Sequence, residues 1–75
     1  MKESKLIIEN CAGDVPSCVE AEHGGASRIE LCAALSEGGT TPSYGTVATV
    51  LRCCHLPIIP IIRPRSGDFL YSGTE

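Results

Sequence analysis

An α/β fold built on a small parallel sheet is what this chain predicts, and three observations carry the prediction. Apolar runs of strand character alternate with segments of helical periodicity, in the order strand, helix, strand, helix, strand. Two of the strands end in the same four-residue pattern, Ile8-Glu9-Asn10-Cys11 and Ile29-Glu30-Leu31-Cys32. The third apolar run is nearly continuous, which suits a strand of a parallel sheet covered on both faces. Strands that alternate with helices connect by right-handed crossovers, so the expected unit is a βαβαβ layer with parallel strands. The pattern of elements alone fits an open doubly wound sheet and a piece of a barrel equally.

The first strand is expected from Leu6 to Cys11. Asp14 then offers an N-cap, Pro16 is tolerated in the first helical turn, and Val15, Cys18 and Val19 form an apolar stripe that Gly24-Gly25 ends. The second strand runs from Arg28 to Cys32, and the loop Ala33 to Thr40 carries Gly38-Gly39. Thr41-Pro42 is the expected cap and first-turn proline of a second helix, whose Tyr44, Val47, Ala48, Leu51 and Cys54 recur on one helical face. Pro57 stops that helix, and Ile58 to Ile62 is the third strand, with Pro60 marking an edge. The tail from Arg63 to Glu75 reads as a loop, and its part after Arg65 is expected to be poorly tied down.

Seventy-five residues allow one small domain, and roughly 60% of the unfolded chain's surface is buried on folding at this size. The chain is 43% hydrophobic and 20% charged with a net charge of −3, which argues against nucleic acid or an anionic membrane as a general partner. No apolar stretch is long enough to span a bilayer, and Met1-Lys2-Glu3-Ser4-Lys5 is not followed by a signal-peptide region. A cytoplasmic location is the expectation. Five cysteines, an odd number in spacings that match no zinc pattern, read as free thiols.

Strand side chains alternate faces, so each Glu of the repeated pattern shares a face with its Cys, and Arg63 and Arg65 point to one side. Ile8, Ile29, Leu31 and Ile62 have the opposite parity and are expected to face the helices. In parallel α/β folds ligands sit beyond the carboxyl ends of the strands. Cys11, Cys32, Glu9, Glu30, Arg63 and Arg65 are therefore the candidate site. Neighbouring parallel strands lie ~4.8 Å apart, so Cys11 and Cys32 can share one soft ion, can be joined by a disulfide, or can pack as ordinary buried cysteines. Glu9 and Glu30 are candidate proton-transfer groups, and Arg63 and Arg65 a candidate clamp for a small anionic ligand, helped by Gly38-Gly39-Thr40-Thr41 at a helix N-terminus. A mutual ion-pair network is the competing account of these four charges. Cys53-Cys54-His55, Cys18 and His23 read as structural: adjacent helical cysteines diverge by about 100°, and histidine suits a helix C-terminus.

Four stretches taken together closely resemble the N-terminal part of the CutC family of copper homeostasis proteins. These are the repeated Ile-Glu-x-Cys, Gly24-Gly25-Ala26-Ser27-Arg28-Ile29-Glu30-Leu31-Cys32, Ser36-Glu37-Gly38-Gly39-Thr40-Thr41-Pro42-Ser43, and Ile62-Arg63-Pro64-Arg65-Ser66-Gly67-Asp68-Phe69-Leu70-Tyr71-Ser72. Ser66 departs from the family pattern, which usually has a second glycine there. The resemblance implies a (β/α)8 TIM barrel, a cytoplasmic and often homo-oligomeric protein, and copper(I) held by Cys11 and Cys32. On this reading residues 1–75 correspond to the N-terminal part of such a barrel, truncated after the third strand and its following loop, a full barrel being roughly 250 residues. Three functions then compete: copper(I) binding, catalysis on a small anionic metabolite, and a truncated product without autonomous activity.

Overall fold

A computed structural model describes residues 6–75. Three parallel strands, β1 (Glu9–Ala12), β2 (Arg28–Leu31) and β3 (Ile58–Pro60), form one sheet in the order β1-β2-β3. Helix α1 (Val15–His23) joins β1 to β2, and a short 3-10 turn (Leu35–Glu37) followed by helix α2 (Tyr44–Cys53) joins β2 to β3. The βαβαβ order expected from the sequence is the one observed.

Each strand is shorter than the apolar run that contains it, because a strand lasts only as long as its partner. Leu6 to Ile8 lie beyond the start of β2, where the Ser27 backbone N–H donates to the Ile8 carbonyl and the Ser27 hydroxyl accepts from the Ile8 N–H. At the other end β2 gives way to an antiparallel bridge between Ala33 and Thr40, so β3 has no ladder beyond the bond from Ile61 N–H to Leu31 O. Alternation places the nitrogen of Pro60 on the side away from β2, where its missing N–H breaks no bond of this sheet.

The helices cover one face. Ile29, Leu31 and Val50 are fully buried and pack with Ala12, Cys18, Ala21 and Cys54. Full burial of each large side chain contributes about 1.5–3 kcal/mol. Ile8 and Ile62, expected on this face, are exposed instead, since both lie past the paired part of the sheet.

Helix α1 starts as expected: the Asp14 side chain accepts from Ser17 N–H at 2.8 Å. It ends in a Schellman motif, with Ala26 N–H donating to Ala21 O and Gly25 N–H to Glu22 O, and Gly25 at φ +95°. Helix α2 differs from expectation in two respects. Its cap is Ser43, whose hydroxyl accepts from Thr46 N–H at 3.1 Å. Thr41 is engaged elsewhere, accepting from Arg63 N–H through its hydroxyl and donating its own N–H to Arg63 O. The buried stripe is Val50 and Cys54 with Val47 partly buried against them, whereas Tyr44 and Leu51 are 89% and 61% exposed. A three-stranded sheet flanked by one other helix offers apolar partners only to a narrow strip of α2, and that strip is centred on Val50.

The tail is organised around Arg65. Its guanidinium donates to Glu75 Oε2 at 2.7 Å, to Asp68 Oδ1 and to the carbonyls of Ser66, Asp68 and Leu70, and it stacks on Tyr71 with 5.0 Å to the ring centroid. The expectation of a loosely held segment is thus replaced by one closed around a single side chain.

Candidate functional site

The face of the sheet opposite the helices carries Glu9 and Cys11 on β1, Glu30 on β2 and Ile59 on β3, with Cys11 abreast of Glu30 and Glu30 abreast of Ile59. The ladder continues past Leu31 through a bond from Cys32 N–H to Ala12 O, which sets Cys32 on this face one step beyond Glu30. The two sulfurs, Cys11 Sγ and Cys32 Sγ, are 3.6 Å apart. One carboxylate oxygen of Glu30 completes a group of three donor atoms, all within 4.8 Å of one another.

The register explains why Glu9 is not in that group. The two Ile-Glu-x-Cys patterns are staggered by two residues: Glu9 pairs with Arg28, and Cys11 with Glu30. Arg28 Nε donates to Glu9 Oε1 at 2.6 Å, an ion pair at the entry end of the strands that is more than a third exposed on both sides. Such a pair contributes about 0–1 kcal/mol. Arg28 is the partner that strand parity alone did not indicate; its signal is its register position opposite Glu9.

The two thiols differ in environment. Cys11 is exposed and Cys32 is 2% exposed. Burial pushes the Cys32 thiol up to about 11, helped by its hydrogen bond with Cys11 and by the Cys11 and Glu30 charges, so it is protonated at neutral pH. The cover over Cys32 is the loop Ala33 to Thr40. Gly39 lies against it at φ +90°, where an added Cβ would stand 3.4 Å from the sulfur.

Arg63 holds that cover in place. Its guanidinium donates to Glu37 O at 2.8 Å, Gly39 O at 2.9 Å and Gly67 O at 3.3 Å, and it lies 5.3 Å from the centroid of Phe69. Its Nε is buried without a hydrogen-bond partner among the described residues. The sequence places Arg63 and Arg65 side by side; the structure commits them to different segments, Arg63 to the glycine loop next to Cys32 and Arg65 to the tail. Cys18 and Cys54 lie in the helix-covered core. His55 bonds Glu22 of α1 through its backbone N–H at 3.0 Å and its ring Nδ1 at 3.3 Å, and these bonds lower the Glu22 carboxyl from its ordinary value.

The model of the CutC family matches residues 6–75. A CutC family protein of Parabacteroides distasonis is 58% identical over 72 residues, which is 95% of this chain and 30% of the relative. The human copper homeostasis protein cutC homolog is 55% identical over 70 residues, 93% of this chain and 26% of the relative. Among solved structures, a CutC protein from Streptococcus agalactiae superposes with a TM-score of 0.77 at 34% identity, covering 93% of this chain and 35% of that one. That neighbour is a TIM barrel, and the βαβαβ layer described above is similar to one part of it. The chain spans about 30% of the length of the curated relatives it matches.

Proposed function

This chain belongs to the CutC family, and from that premise we propose that it serves copper homeostasis by holding copper(I) between Cys11 and Cys32 in the reducing cytoplasm. The observation that carries the reading is the 3.6 Å approach of the two sulfurs on the face away from the core. Soft thiolates select a soft ion, and a single carboxylate beside them is too few oxygens for a hard divalent ion such as magnesium or calcium. Cys11 gives access from solvent, Cys32 an anchored donor beneath its loop. Binding would release both thiol protons.

A competing chromophoric ligand under a thiol-free reductant measures the affinity directly. Binding of about one copper(I) per chain is expected, lost when Cys11 and Cys32 are both changed to Ser and kept when Cys53 and Cys54 are. The opposite pattern would move the site to the end of α2. Zinc uptake equal to that of copper would mean a less selective thiolate site.

A second reading, a TIM-barrel enzyme acting on a small anionic metabolite, draws on the buried Arg63 Nε, whose N–H has no partner among the described residues. In this reading Glu30 moves protons and Arg63 holds the anion, while Glu9 is engaged by Arg28 at the entry end of the strands. Arg65 carries less of it, as its donors already serve the tail. Anion affinity that survives the double cysteine change but falls on Arg63→Lys is its expected signature.

A further inference from the structure

We propose that Cys11 and Cys32 form a reversible intramolecular disulfide, which makes the strand-end thiol pair a redox-controlled site. The bond itself stands on geometry; only its consequence for copper rests on the reading above. The sulfurs are 3.6 Å apart, and a disulfide needs ~2.05 Å, so about 1.5 Å of closure is required. The strands that carry them are already joined by the bond from Cys32 N–H to Ala12 O, and Cys11 is exposed and has room to turn.

Environment assigns the order of events. An oxidant from solvent meets Cys11 first, and the neighbouring sulfur that can resolve the product is Cys32. Cys18 and Cys54 are enclosed in the core on the other face of the sheet, and Cys53 stands on α2. With hydrogen peroxide as the two-electron oxidant, the Cys11 sulfur attacks one peroxide oxygen. The O–O bond breaks, one oxygen stays on sulfur as a sulfenic acid, and the other leaves as water with the thiol proton. Cys32 Sγ then attacks the Cys11 sulfur, the S–S bond forms, the S–OH bond breaks, and hydroxide departs as water with the Cys32 proton. Two thiols have supplied two electrons to one peroxide, giving one disulfide and two waters. An external thiol attacking the exposed Cys11 sulfur reverses the change. The disulfide offers no thiolate to a soft ion, so the oxidised chain would release copper(I).

Tryptic mapping tests this on the 75-residue chain after about one equivalent of hydrogen peroxide, with remaining thiols alkylated in denaturant and no reductant. Trypsin cuts after Lys5, Arg28 and Arg52, which puts Cys11 and Cys18 in residues 6–28 and Cys32 in 29–52. The expected product is a 6–28/29–52 pair with alkylated Cys18, separated by dithiothreitol, absent in Cys11→Ser and Cys32→Ser and present in Cys18→Ser and Cys53→Ser. Sulfinic acid on Cys11 beside an alkylated Cys32, or dimers bridged through Cys53, would overturn the proposal. Copper(I) titration of the reduced and oxidised chains separates the two readings. A bridge in a chain whose reduced form takes no copper would sink the copper reading alone. Copper binding without a bridge would sink the disulfide alone.

Discussion

At Cys32 the cost of burying a charge dominates, since the thiol rises from 9.0 to about 11 with desolvation as the largest cause. Its folded-state value lies above the unfolded one, so its contribution to stability is complete below pH 9 and is lost as pH rises toward 11. In the native chain Cys32 alkylation is therefore expected to stay slow past pH 9 and slower than that of the exposed Cys53, as thiol-resolved mass spectrometry would show. Equal rates at pH 9 would contradict the burial argument. Copper(I) must displace the same proton, so apparent affinity should rise about tenfold per pH unit near neutrality from Cys32 alone, and a flat profile would point to other ligands. Gly39→Ala forces a side chain into φ +90° and against the sulfur. A loss of about 1–2 kcal/mol is expected, with faster Cys32 alkylation. The closeness of Cys11 and Cys32 was legible in the sequence because alternation along a strand is local. The departure of Glu9 was not, because the two-residue stagger between β1 and β2 arises only from the pairing of segments distant in the chain.

Element boundaries show the same division between local and non-local causes. Asp14 and Gly25 could be read as the ends of α1 because caps act within one turn. Thr41 was the expected start of α2, yet Ser43 caps it, because Arg63 occupies Thr41 from 22 residues away. Ser43→Ala should therefore cost about 1 kcal/mol, or roughly 4–8 °C in Tm. Thr41→Val should leave the cap intact and instead loosen the Arg63 segment, read as faster amide exchange at Arg63. An equal Tm loss in both variants with no change in exchange would show that the two threonine and serine roles are not separate. The Asp14 and Glu22 carboxyls are both held below their ordinary values, Asp14 by hydrogen bonds from Ser17 and Glu22 by those from His55. Their folded values lie below the unfolded ones, so their stabilising effect is present above the ordinary carboxyl range and fades as pH falls through it. Acid should loosen the start of α1 and its junction with His55. The exposed Tyr44 and Leu51 show the limit of periodicity, which identifies an apolar stripe on a helix but not which neighbour will cover it.

The whole molecule is extended for its length. Its radius of gyration is 14.1 Å, where a compact domain of this size would have about 11 Å. Leu6, Ile7, Ile62, Phe69 and Leu70 are each more than half exposed, and among the described residues β1 and β3 each pair on one side only. Unpaired strand edges beside exposed apolar side chains favour association with another chain. In isolation the 75-residue polypeptide should self-associate, with a mass in analytical ultracentrifugation that exceeds 7.9 kDa and grows with concentration. A monodisperse monomer that melts cooperatively above ~65 °C would refute this. Such open edges follow from a three-dimensional arrangement in which, among the described residues, three strands meet; composition, with 43% hydrophobic residues, gives no sign of them.

The five hydrogen bonds that Arg65 donates all end within the ten residues that follow it. One rigid planar cation gripped at several points by a single flexible segment behaves as a polydentate complex. Each exposed bond contributes only about 1 kcal/mol and opens readily, yet while one is open the others keep its partner at high effective concentration and it closes again. Release then requires all of them to open together. The segment should therefore come away in one step rather than fray from Glu75 inward, and amides of Leu70 and Ser72, which rest on Asp68 and Glu75 within the same ring of bonds, should exchange with solvent in concert.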